Sequence, residues 1–233
     1  MPSKPKLVAI SQRVVGIPAY GEFRDCLDQQ WAIWLQSLNL LAVPIPNRLS
    51  SPEVWIRELR PHGIILSGGN NITFDCYEGS AMEGGVTDAY RERDETETAL
   101  VEYVVQENVP LLGCCRGMQF LQVYFGGKLS PLEAVPVVHV ASTHDVTITN
   151  DQLRATVGRE VITVNSFHNF GIRAAALAAP LRTLALSAPD QTVEAFDHTT
   201  HPIVGIMWHP ERANPAAAAD IQLATALFSG QWP

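Results

Sequence analysis

The sequence predicts an α/β fold with three layers, in which a mostly parallel central sheet carries helices on both faces. Short β-rich runs alternate with segments of helical period along the chain, which is typical of a parallel sheet with covering helices. Some of these runs, such as Gly63–Leu66, are apolar throughout. We expect such runs to be strands buried on both faces.

The first half of the chain shows the alternation most clearly. Apolar residues recur at helical spacing in Arg24–Leu38, and Pro52 suits the first turn of a helix. Pro46 ends the strand before that helix. The predicted strands here are Lys6–Ser11, Leu41–Ile45, Gly63–Leu66 and Val109–Gly113, and the predicted helices are Arg24–Leu38, Pro52–Leu59, Thr96–Gln106 and Met118–Tyr124.

The second half is richer in strand signals and ends in an alanine-rich helix, Ala216–Phe228. A polar stretch from Thr73 to Glu92 predicts a long loop, a kind of segment that is often functional; whether it is a lid stays open. Without a repeat or linker, we expect one domain over residues 1–233. The predicted strands of this half are Asp145–Thr149, Val161–Val164, Arg182–Ser187, Thr192–Phe196 and Val204–Met207.

Composition narrows the class of protein. A hydrophobic content of 46% is enough for a substantial core, and the formal net charge of −8 argues against nucleic acid or an anionic membrane as the main partner. No apolar run has the length of a membrane-spanning helix. The four cysteines follow neither a disulfide framework nor a zinc-binding spacing, so we expect a cytoplasmic protein.

The segment Pro110–Gln119 contains the most informative pattern. An apolar strand runs into Gly-Cys-Cys-Arg-Gly and then into a helical segment. Glycines at 113 and 117 permit a sharp turn, and a helix N-terminus favours a thiolate. Cys115 is therefore the candidate nucleophile, although a buried structural cysteine is an equally good interpretation of this segment alone.

A cysteine nucleophile needs a base, and the base needs a group that orients it. His209 follows a predicted buried strand, and Glu211 lies two residues further on. Taken alone, the pair also fits a surface turn. Acyl transfer needs N–H donors for an oxyanion as well, and we assign the backbone amides of Gly69 and Arg116 to this role; an ordinary glycine turn at Ser67-Gly68-Gly69 is the alternative.

Three motifs in this order, Leu-Ser-Gly-Gly, Gly-Cys-Cys-Arg-Gly-Met-Gln and Gly-Ile-Met-Trp-His-Pro-Glu, resemble the class I glutamine amidotransferase superfamily. They are similar above all to its γ-glutamyl hydrolase branch, which includes γ-glutamyl-γ-aminobutyrate hydrolase. The resemblance implies that Cys115 attacks a γ-glutamyl amide, with His209 as base and Glu211 as orienter. It implies packing for Cys114, a γ-glutamyl thioester intermediate, and no metal or organic cofactor.

Further segments resemble the same branch. Val-Asn-Ser-Phe-His, residues 164–168, implies that Ser166 and His168 border the active site, and Gln119 is a further expected substrate contact. Thr143–Val146 and Arg93–Glu97 also match. The alternatives are that His144 and His168 are satisfied loop or core histidines and that Arg93 and Asp94 form a charge pair at a helix N-terminus; we favour the charge pair.

Two arginines in the N-terminal segment, Arg13 and Arg24, lie near the end of the first predicted strand, where open α/β sheets bind ligands. A guanidinium there could hold a carboxylate or phosphate. Ion pairs with Glu22, Asp25 or Asp28 are the alternative. The segment resembles amidotransferase-like proteins of surface-polysaccharide gene clusters, including a γ-glutamyl-CDP-amidate hydrolase.

Three functions follow from these observations. The first is a free-standing hydrolase that releases glutamate and an amine or amidate from a small γ-glutamyl substrate, γ-glutamyl-CDP-amidate among the candidates. The second is a glutaminase subunit that supplies ammonia to a separate synthetase, and the third is a scaffold for binding alone. We expect the first. A homodimer or a synthetase partner is left open.

Overall fold

The computed structural model describes residues 4–73, 87–132, 139–188, 190–213 and 216–232. In this part of the chain the predicted three-layer α/β fold is confirmed. The strands are β1 Lys6–Ser11, β2 Arg13–Ile17, β3 Glu22–Cys26, β4 Leu40–Ile45, β5 Gly63–Leu66, β6 Leu111–Cys114, β7 Ser130–Pro131, β8 Val140–Ile148, β9 Val161–Phe167, β10 Phe170–Gly171, β11 Leu181–Ser187, β12 Val193–His198 and β13 Ile203–Ile206. The α-helices are α1 Gln30–Ser37, α2 Pro52–Leu59, α3 Arg91–Glu107, α4 Arg116–Tyr124, α5 Asp151–Val157 and α6 Ala218–Phe228.

The main sheet has nine strands in the order β4-β1-β5-β6-β13-β12-β11-β8-β9. The first five of these are parallel, and the other four continue the sheet through antiparallel pairings. Because β11 and β9 thereby regain the direction of the parallel strands, most strands share one direction. The sheet is therefore mostly parallel, as predicted, with an antiparallel extension on one side.

Strand residues alternate between two hydrophobic cores, one on each face of the sheet. Val8 and Ile10 of β1 face the core that contains α1, α5 and α6, whereas Ala9 faces the core that contains α2, α3 and α4. In β6, Leu112 and Cys114 face the first core and Leu111 the second. This alternation follows from the two-residue period of a strand and produces the three layers.

The structure differs from the predicted elements in the N-terminal segment. The predicted helix Arg24–Leu38 begins only at Gln30, because β2 and β3 form an antiparallel hairpin before it. The hairpin turns at Gly21, whose φ is 63°, a conformation that suits glycine. The apolar residues that indicated a helix, Trp31 to Leu38, do belong to α1 and its end.

Two helices differ from the sequence prediction: α3 begins earlier than predicted, and α5 was missed. Helix α3 begins at Arg91, five residues before the predicted Thr96. Helix α5 was not predicted, although Asn150 caps it by accepting from the Leu153 N–H at 3.0 Å and Gly158 ends it in a left-handed conformation. Residues 74–86 of the predicted loop lie outside the described residues. None of the described helices is both long and apolar enough to cross a membrane.

Candidate active site

Three segments meet at the carboxyl ends of neighbouring parallel strands. Strands β5, β6 and β13 lie side by side, and they are followed by Ser67-Gly68-Gly69, Cys115 and the segment that contains His209. Carboxyl ends of adjacent strands are where open α/β sheets bind ligands. The topology thus brings together residues that are distant in sequence.

Cys115 occupies a strained turn between β6 and α4. Its φ and ψ are 51° and −106°, a combination that residues with side chains rarely adopt. The Cys115 N–H donates to the carbonyl oxygen of Ile206 at 2.8 Å, which ties the turn to β13. A side chain at Gly117 would collide with the Leu66 carbonyl oxygen, so glycine permits the close approach of α4 to β5. This geometry presents Cys115 at the tip of the turn.

The neighbouring cysteine has a different environment. Cys114 is completely buried in the core on the α6 side, and burial raises the pKa of its thiol well above the ordinary value. Cys115 is 6% exposed and lines a cleft. Since the thiolate is the reactive form, burial and a raised pKa suit Cys114 to packing, which stays a prediction.

His209 is held by its backbone and by its ring. The Asn165 side chain accepts from the His209 N–H at 2.9 Å and donates to the His209 carbonyl at 2.8 Å, so both backbone groups are bound by one amide. The ring Nδ1 lies 2.7 Å from Oε1 of Glu211, which sits in a short 3₁₀ helix, Pro210–Arg212. Since Glu211 occupies Nδ1, Nε2 is the ring nitrogen left to face another group, and Cys115 lines the same cleft as His209.

The electrostatic surroundings favour a charged His209 ring. Burial acts to lower the pKa of His209, but its interactions with Cys115 and Glu211 outweigh it and raise the pKa to about 9. An imidazolium at this position is the state that follows proton transfer from a thiol. The site can therefore accept and hold a proton next to Cys115.

The Ser67-Gly68-Gly69 turn packs directly against the His209 ring. A Cβ at Gly68 would lie 2.5 Å from His209 Cε1, and Gly69 has a φ of 82°. The Arg93 guanidinium donates to the carbonyl oxygens of all three turn residues, at 2.7 Å for Ser67 and 3.2 Å for Gly68. Because a trans peptide is planar, holding the Gly68 carbonyl toward Arg93 directs the Gly69 N–H away from Arg93.

Arg93 belongs to a buried group of four ionised side chains, Arg93, Asp94, Glu97 and Arg116, which we call the charged network. Arg93 Nε donates to Glu97 at 3.0 Å, and the Arg116 side chain donates to both Glu97 and Asp94. Ser11 Oγ adds a hydrogen bond to Glu97 at 2.8 Å. The interpretation of Arg93 and Asp94 as a charge pair at a helix terminus is wrong, because each pairs with another residue of this network.

In the charged network, burial disfavours the charged form of each side chain, and neighbouring opposite charges oppose this effect. Burial, aided by the charge of Arg116, lowers the pKa of Arg93 to about 10. Burial acts to raise the pKa of Glu97, but Arg116 and Arg93 outweigh it and lower the pKa. Each carboxylate has a guanidinium partner, which is the condition for keeping buried charges in a fold.

The cleft beside Cys115 extends to both sides of His209. One part, of about 330 Å³, is lined by Cys115, Gln119, His168 and other polar residues, and a second, of about 290 Å³, reaches the β2–β3 hairpin. Arg13 and Arg212 line both parts. Two guanidiniums along the cleft offer charge complementarity to an anionic ligand.

Arg13 and Arg24, the two arginines of the N-terminal segment, lie in different environments. Arg24 forms an exposed ion pair with Glu22 at 2.6 Å, which is the alternative that the sequence left open. Arg13 lines the cleft beside Gly69, where its Cδ would lie 3.3 Å from a Cβ built on that glycine. The ligand-binding interpretation therefore stays a hypothesis for Arg13.

The remaining predicted contacts surround the cleft at different depths. Gln119 lines it and donates to the Phe170 carbonyl at 2.8 Å. Ser166 is fully buried and donates to the His139 carbonyl at 2.7 Å. His168 lines the cleft with one edge but is 4% exposed, and burial lowers its pKa to about 4. Substrate binding by these residues stays a prediction.

Sequence patterns missed several residues that build this site. Asn165 belongs to the Val-Asn-Ser-Phe-His motif, which predicted no role for it. Arg212 follows Glu211 directly. Arg212 stacks over the Phe167 ring at 4.5 Å, and Phe167 packs against His209. Glu97 gave one usable signal, its i, i+4 spacing from Arg93, but that spacing indicates a surface pair as readily as a buried one.

The fold and the site together define a class I glutamine amidotransferase-like protein. A crystal structure named for a GMP synthase subunit from Thermoplasma acidophilum superposes with a TM-score of 0.67 at 20% identity, covering 97% of this chain and 96% of that one. At this identity the likeness concerns the fold. More specifically, the chain belongs to the Peptidase C26 family, whose family model matches residues 14–211.

The names of similar proteins are consistent with this family. The chain is 33% identical to γ-glutamyl-CDP-amidate hydrolase of Campylobacter jejuni over 95% of its own length and 97% of the relative. It is 30% identical to γ-glutamyl-γ-aminobutyrate hydrolase of Escherichia coli O157:H7, over 82% and 78%, and 29% identical to a glutamine-hydrolysing GMP synthase subunit of Thermococcus kodakarensis, over 85% and 92%. The protein is thus a hydrolase that acts on γ-glutamyl amide bonds.

Proposed function

We propose that this protein hydrolyses its γ-glutamyl substrate through a Cys115–His209–Glu211 triad and a γ-glutamyl thioester. One observation carries the proposal: His209 lines the same cleft as Cys115, interacts with it electrostatically, and is hydrogen-bonded through Nδ1 to Glu211 at 2.7 Å. The strained backbone of Cys115 supports it, because such strain is often stored at reacting groups.

The first half of the reaction forms the thioester. His209 takes the proton of Cys115, and the sulfur attacks the γ-carbonyl carbon of the substrate. The resulting oxyanion accepts from the backbone N–H groups of Gly69 and Arg116; the latter is the first amide of α4 and has no acceptor within the helix. The C–N bond then breaks as His209 returns its proton to the leaving nitrogen.

The second half releases glutamate. A water molecule attacks the thioester carbonyl carbon while His209 accepts one of its protons. Collapse of the oxyanion breaks the C–S bond, and the proton held by His209 returns to the sulfur. Glu211 keeps the ring oriented and stabilises its positive charge in both halves.

Replacing each adjacent cysteine in turn tests the nucleophile. We expect Cys115→Ala to lower glutamate release from γ-glutamyl amides by about 10³-fold or more. Cys114→Ala is the matched control and should retain most of the rate per folded molecule. Mass spectrometry of quenched wild-type reactions should detect a γ-glutamyl adduct on Cys115. An adduct on Cys114, or a Cys115→Ala variant with unchanged turnover, contradicts the proposal.

For the substrate we propose an amidate or amide whose leaving half is anionic, as in a γ-glutamyl-CDP-amidate used in surface-polysaccharide synthesis. The named activity of the Campylobacter jejuni relative supports this choice. The two arginines that line both parts of the cleft, Arg13 and Arg212, support it on physical grounds. A guanidinium binds phosphate through paired, charge-assisted hydrogen bonds.

A charge-specific comparison tests the leaving half. We expect Arg13→Gln to raise KM for γ-glutamyl-CDP-amidate about 10-fold or more, while KM for γ-glutamyl anilide, whose leaving half is neutral, changes little. Arg24→Gln, in the same hairpin but paired with Glu22 at the surface, is the control. Equal effects of Arg13→Gln on both substrates would show that Arg13 does not read the charge of the leaving half.

A glutaminase subunit is the second candidate function, and the 29% identity to the Thermococcus kodakarensis GMP synthase subunit favours it. In that case glutamine would be the substrate, and turnover would rise only when a synthetase is bound. Measuring glutamate release from glutamine and from γ-glutamyl-CDP-amidate with the purified chain alone separates the two. Fast release from the amidate supports the free-standing hydrolase.

A further inference from the structure

A second buried group of titratable side chains lies outside the proposed triad. It consists of His139, His144, His168 and Glu194, and we call it the histidine cluster. His144 is in β8, Glu194 is in β12, His139 precedes β8, and His168 follows β9. The ring centroids of His139 and His144 are 5.0 Å apart, and those of His139 and His168 are 4.8 Å apart. All four side chains are buried.

Two of the histidines, His139 and His168, are oriented by hydrogen bonds, and Nδ1 of His139 also lies 3.5 Å from Ser166 Oγ. His139 Nε2 lies 3.0 Å from Asp190 Oδ2, and His168 Nδ1 lies 3.1 Å from the Phe170 carbonyl oxygen. A carbonyl can only accept, so Nδ1 of His168 carries a proton and directs Nε2 inward. A carboxylate or carbonyl behind a histidine is the usual arrangement of metal-binding histidines.

The inward-facing atoms of the cluster are not satisfied. Within the described part of the chain, neither oxygen of Glu194 nor Nε2 of His168 has a hydrogen-bond partner, and neither has either nitrogen of His144. A buried carboxylate with no donor is unfavourable, since it has lost its hydration without compensation. A cation bound between these atoms would complete this group.

The separations between these atoms fit a shared cation better than hydrogen bonds. His144 Nε2 is 3.5 Å from Glu194 Oε2, and His168 Nε2 is 3.8 Å from Glu194 Oε1. Both exceed the range of about 2.7–3.2 Å for N–H···O bonds. Two ligand atoms at about 2.0–2.2 Å from one tetrahedral ion lie roughly 3.4 Å apart. Each of His139, His168 and Glu194 places one ligand atom within 4.8 Å of the other two.

We propose that His139, His168 and Glu194 bind one divalent cation of the zinc type. Imidazole and carboxylate together are typical zinc ligands. Because the three residues lie outside the triad, we assign the ion a structural role: it joins the segment before β8 and the end of β9 to β12. It thereby steadies the strand that carries Asn165, which binds the backbone of His209.

This site was not indicated by the spacing of its residues. The sequence implied no metal, and positions 139, 168 and 194 follow no common zinc pattern. Antiparallel pairing of β8 with β9 and of β8 and β12 with β11 brings them together. The proposal does not depend on which nitrogen the enzyme releases from its substrate.

Metal content of the full, untagged chain is the direct test. We expect protein made in zinc-supplemented medium to hold about one zinc per chain by elemental mass spectrometry. Removing it with a chelator should lower the unfolding temperature by about 5 °C or more, and zinc alone should restore it. Wild-type protein without zinc, with an unfolding temperature that added zinc leaves unchanged, overturns the proposal.

Four variants assign the ion to this cluster. We expect His168→Gln and Glu194→Gln to bind zinc at least about 10-fold more weakly than wild type. His62→Gln, which removes an exposed histidine, and Cys115→Ala, which removes the thiol beside His209, should keep it. Loss of zinc in Cys115→Ala alone would place the ion at the triad and overturn the assignment. If the cluster variants do not fold, the wild-type metal content and zinc-dependent unfolding temperature decide.

Discussion

The charged network and the histidine cluster are two buried ionisable groups that support the same active site in different ways. In the charged network, the two guanidiniums of Arg93 and Arg116 face the two carboxylates of Asp94 and Glu97. In the histidine cluster, one carboxylate, that of Glu194, faces imidazole nitrogens at 3.5 and 3.8 Å. The first group contains its own counter-charges, whereas the second does not.

The difference teaches how a buried carboxylate can be accommodated. Glu97 is ionised beside fixed cations, and we infer that Glu194 needs a metal ion. A third case, Asp220, has neither: its Oδ1 accepts from the Trp208 indole at 2.8 Å, and burial raises its pKa to about 6. A guanidinium, a metal and a proton are thus three alternative answers to the same desolvation problem.

Removing one partner of the charged network should have the largest effect on stability. We expect Arg93→Met to lower the free energy of unfolding by about 3–5 kcal/mol, because it removes one of the two guanidinium partners of the buried Glu97 and the donor of the turn carbonyls. Activity should also fall, since Arg93 holds the turn that contains Gly69. Urea unfolding and glutamate release measure the two effects.

The same helix supplies a matched control for that variant. Arg91 pairs with Glu95 at 2.9 Å with the same i, i+4 spacing, but both side chains are exposed. Arg91→Met should therefore change stability little. Equal losses in the two variants would mean that burial does not distinguish the charged network from a surface pair.

Asn165 connects the histidine cluster to the triad, so its removal should have an intermediate effect. Asn165→Ala breaks both backbone hydrogen bonds to His209, at 2.8 and 2.9 Å. We expect kcat to fall by about 10–100-fold and the free energy of unfolding by about 1–3 kcal/mol. Steady-state kinetics and urea unfolding measure the two losses.

Thr163 of the same strand provides the comparison for Asn165. Its hydroxyl donates to Asp145 at an exposed position, so Thr163→Ala should leave kcat nearly unchanged. If Asn165→Ala kept the wild-type kcat, the hydrogen bonds between Asn165 and His209 would not contribute to catalysis.

The smallest effect is expected at Asp220 and depends on pH. Its folded pKa of about 6 lies above the ordinary value, so the folded state binds the proton more tightly and the carboxyl's contribution to stability falls as pH rises from about 4 to 6. Asp220→Asn removes this fall. Relative to wild type, the variant should gain about 1–3 kcal/mol between pH 4 and pH 7 in urea unfolding.

An exposed carboxylate tests whether the pH effect belongs to Asp220. Asp151 is 94% exposed in its side chain, and Asp151→Asn should show no comparable gain across this pH range. A pH-independent difference for Asp220→Asn would contradict the raised pKa.

Local patterns predicted much of the fold. The predicted strands Lys6–Ser11 and Gly63–Leu66 and the predicted helix Pro52–Leu59 match β1, β5 and α2 residue for residue. Apolar runs and prolines determine secondary structure over only a few residues. These three elements can therefore be predicted from sequence alone. The β2–β3 hairpin was missed because its exposed residues, Glu22 to Asp25, lack the alternation that marks a half-buried strand.

The sequence by itself determined the family, the class of reaction and the candidate residues Cys115, His209 and Glu211, because short motifs carry turns and reactive groups together. Only the tertiary structure decided which charged side chains are buried and which residues they pair with. Arg93, Glu97 and Arg116 look like surface residues in a helical pattern, and His139, His168 and Glu194 look unrelated. Pairing between distant strands and helices sets these contacts, and desolvation then makes a counter-charge necessary.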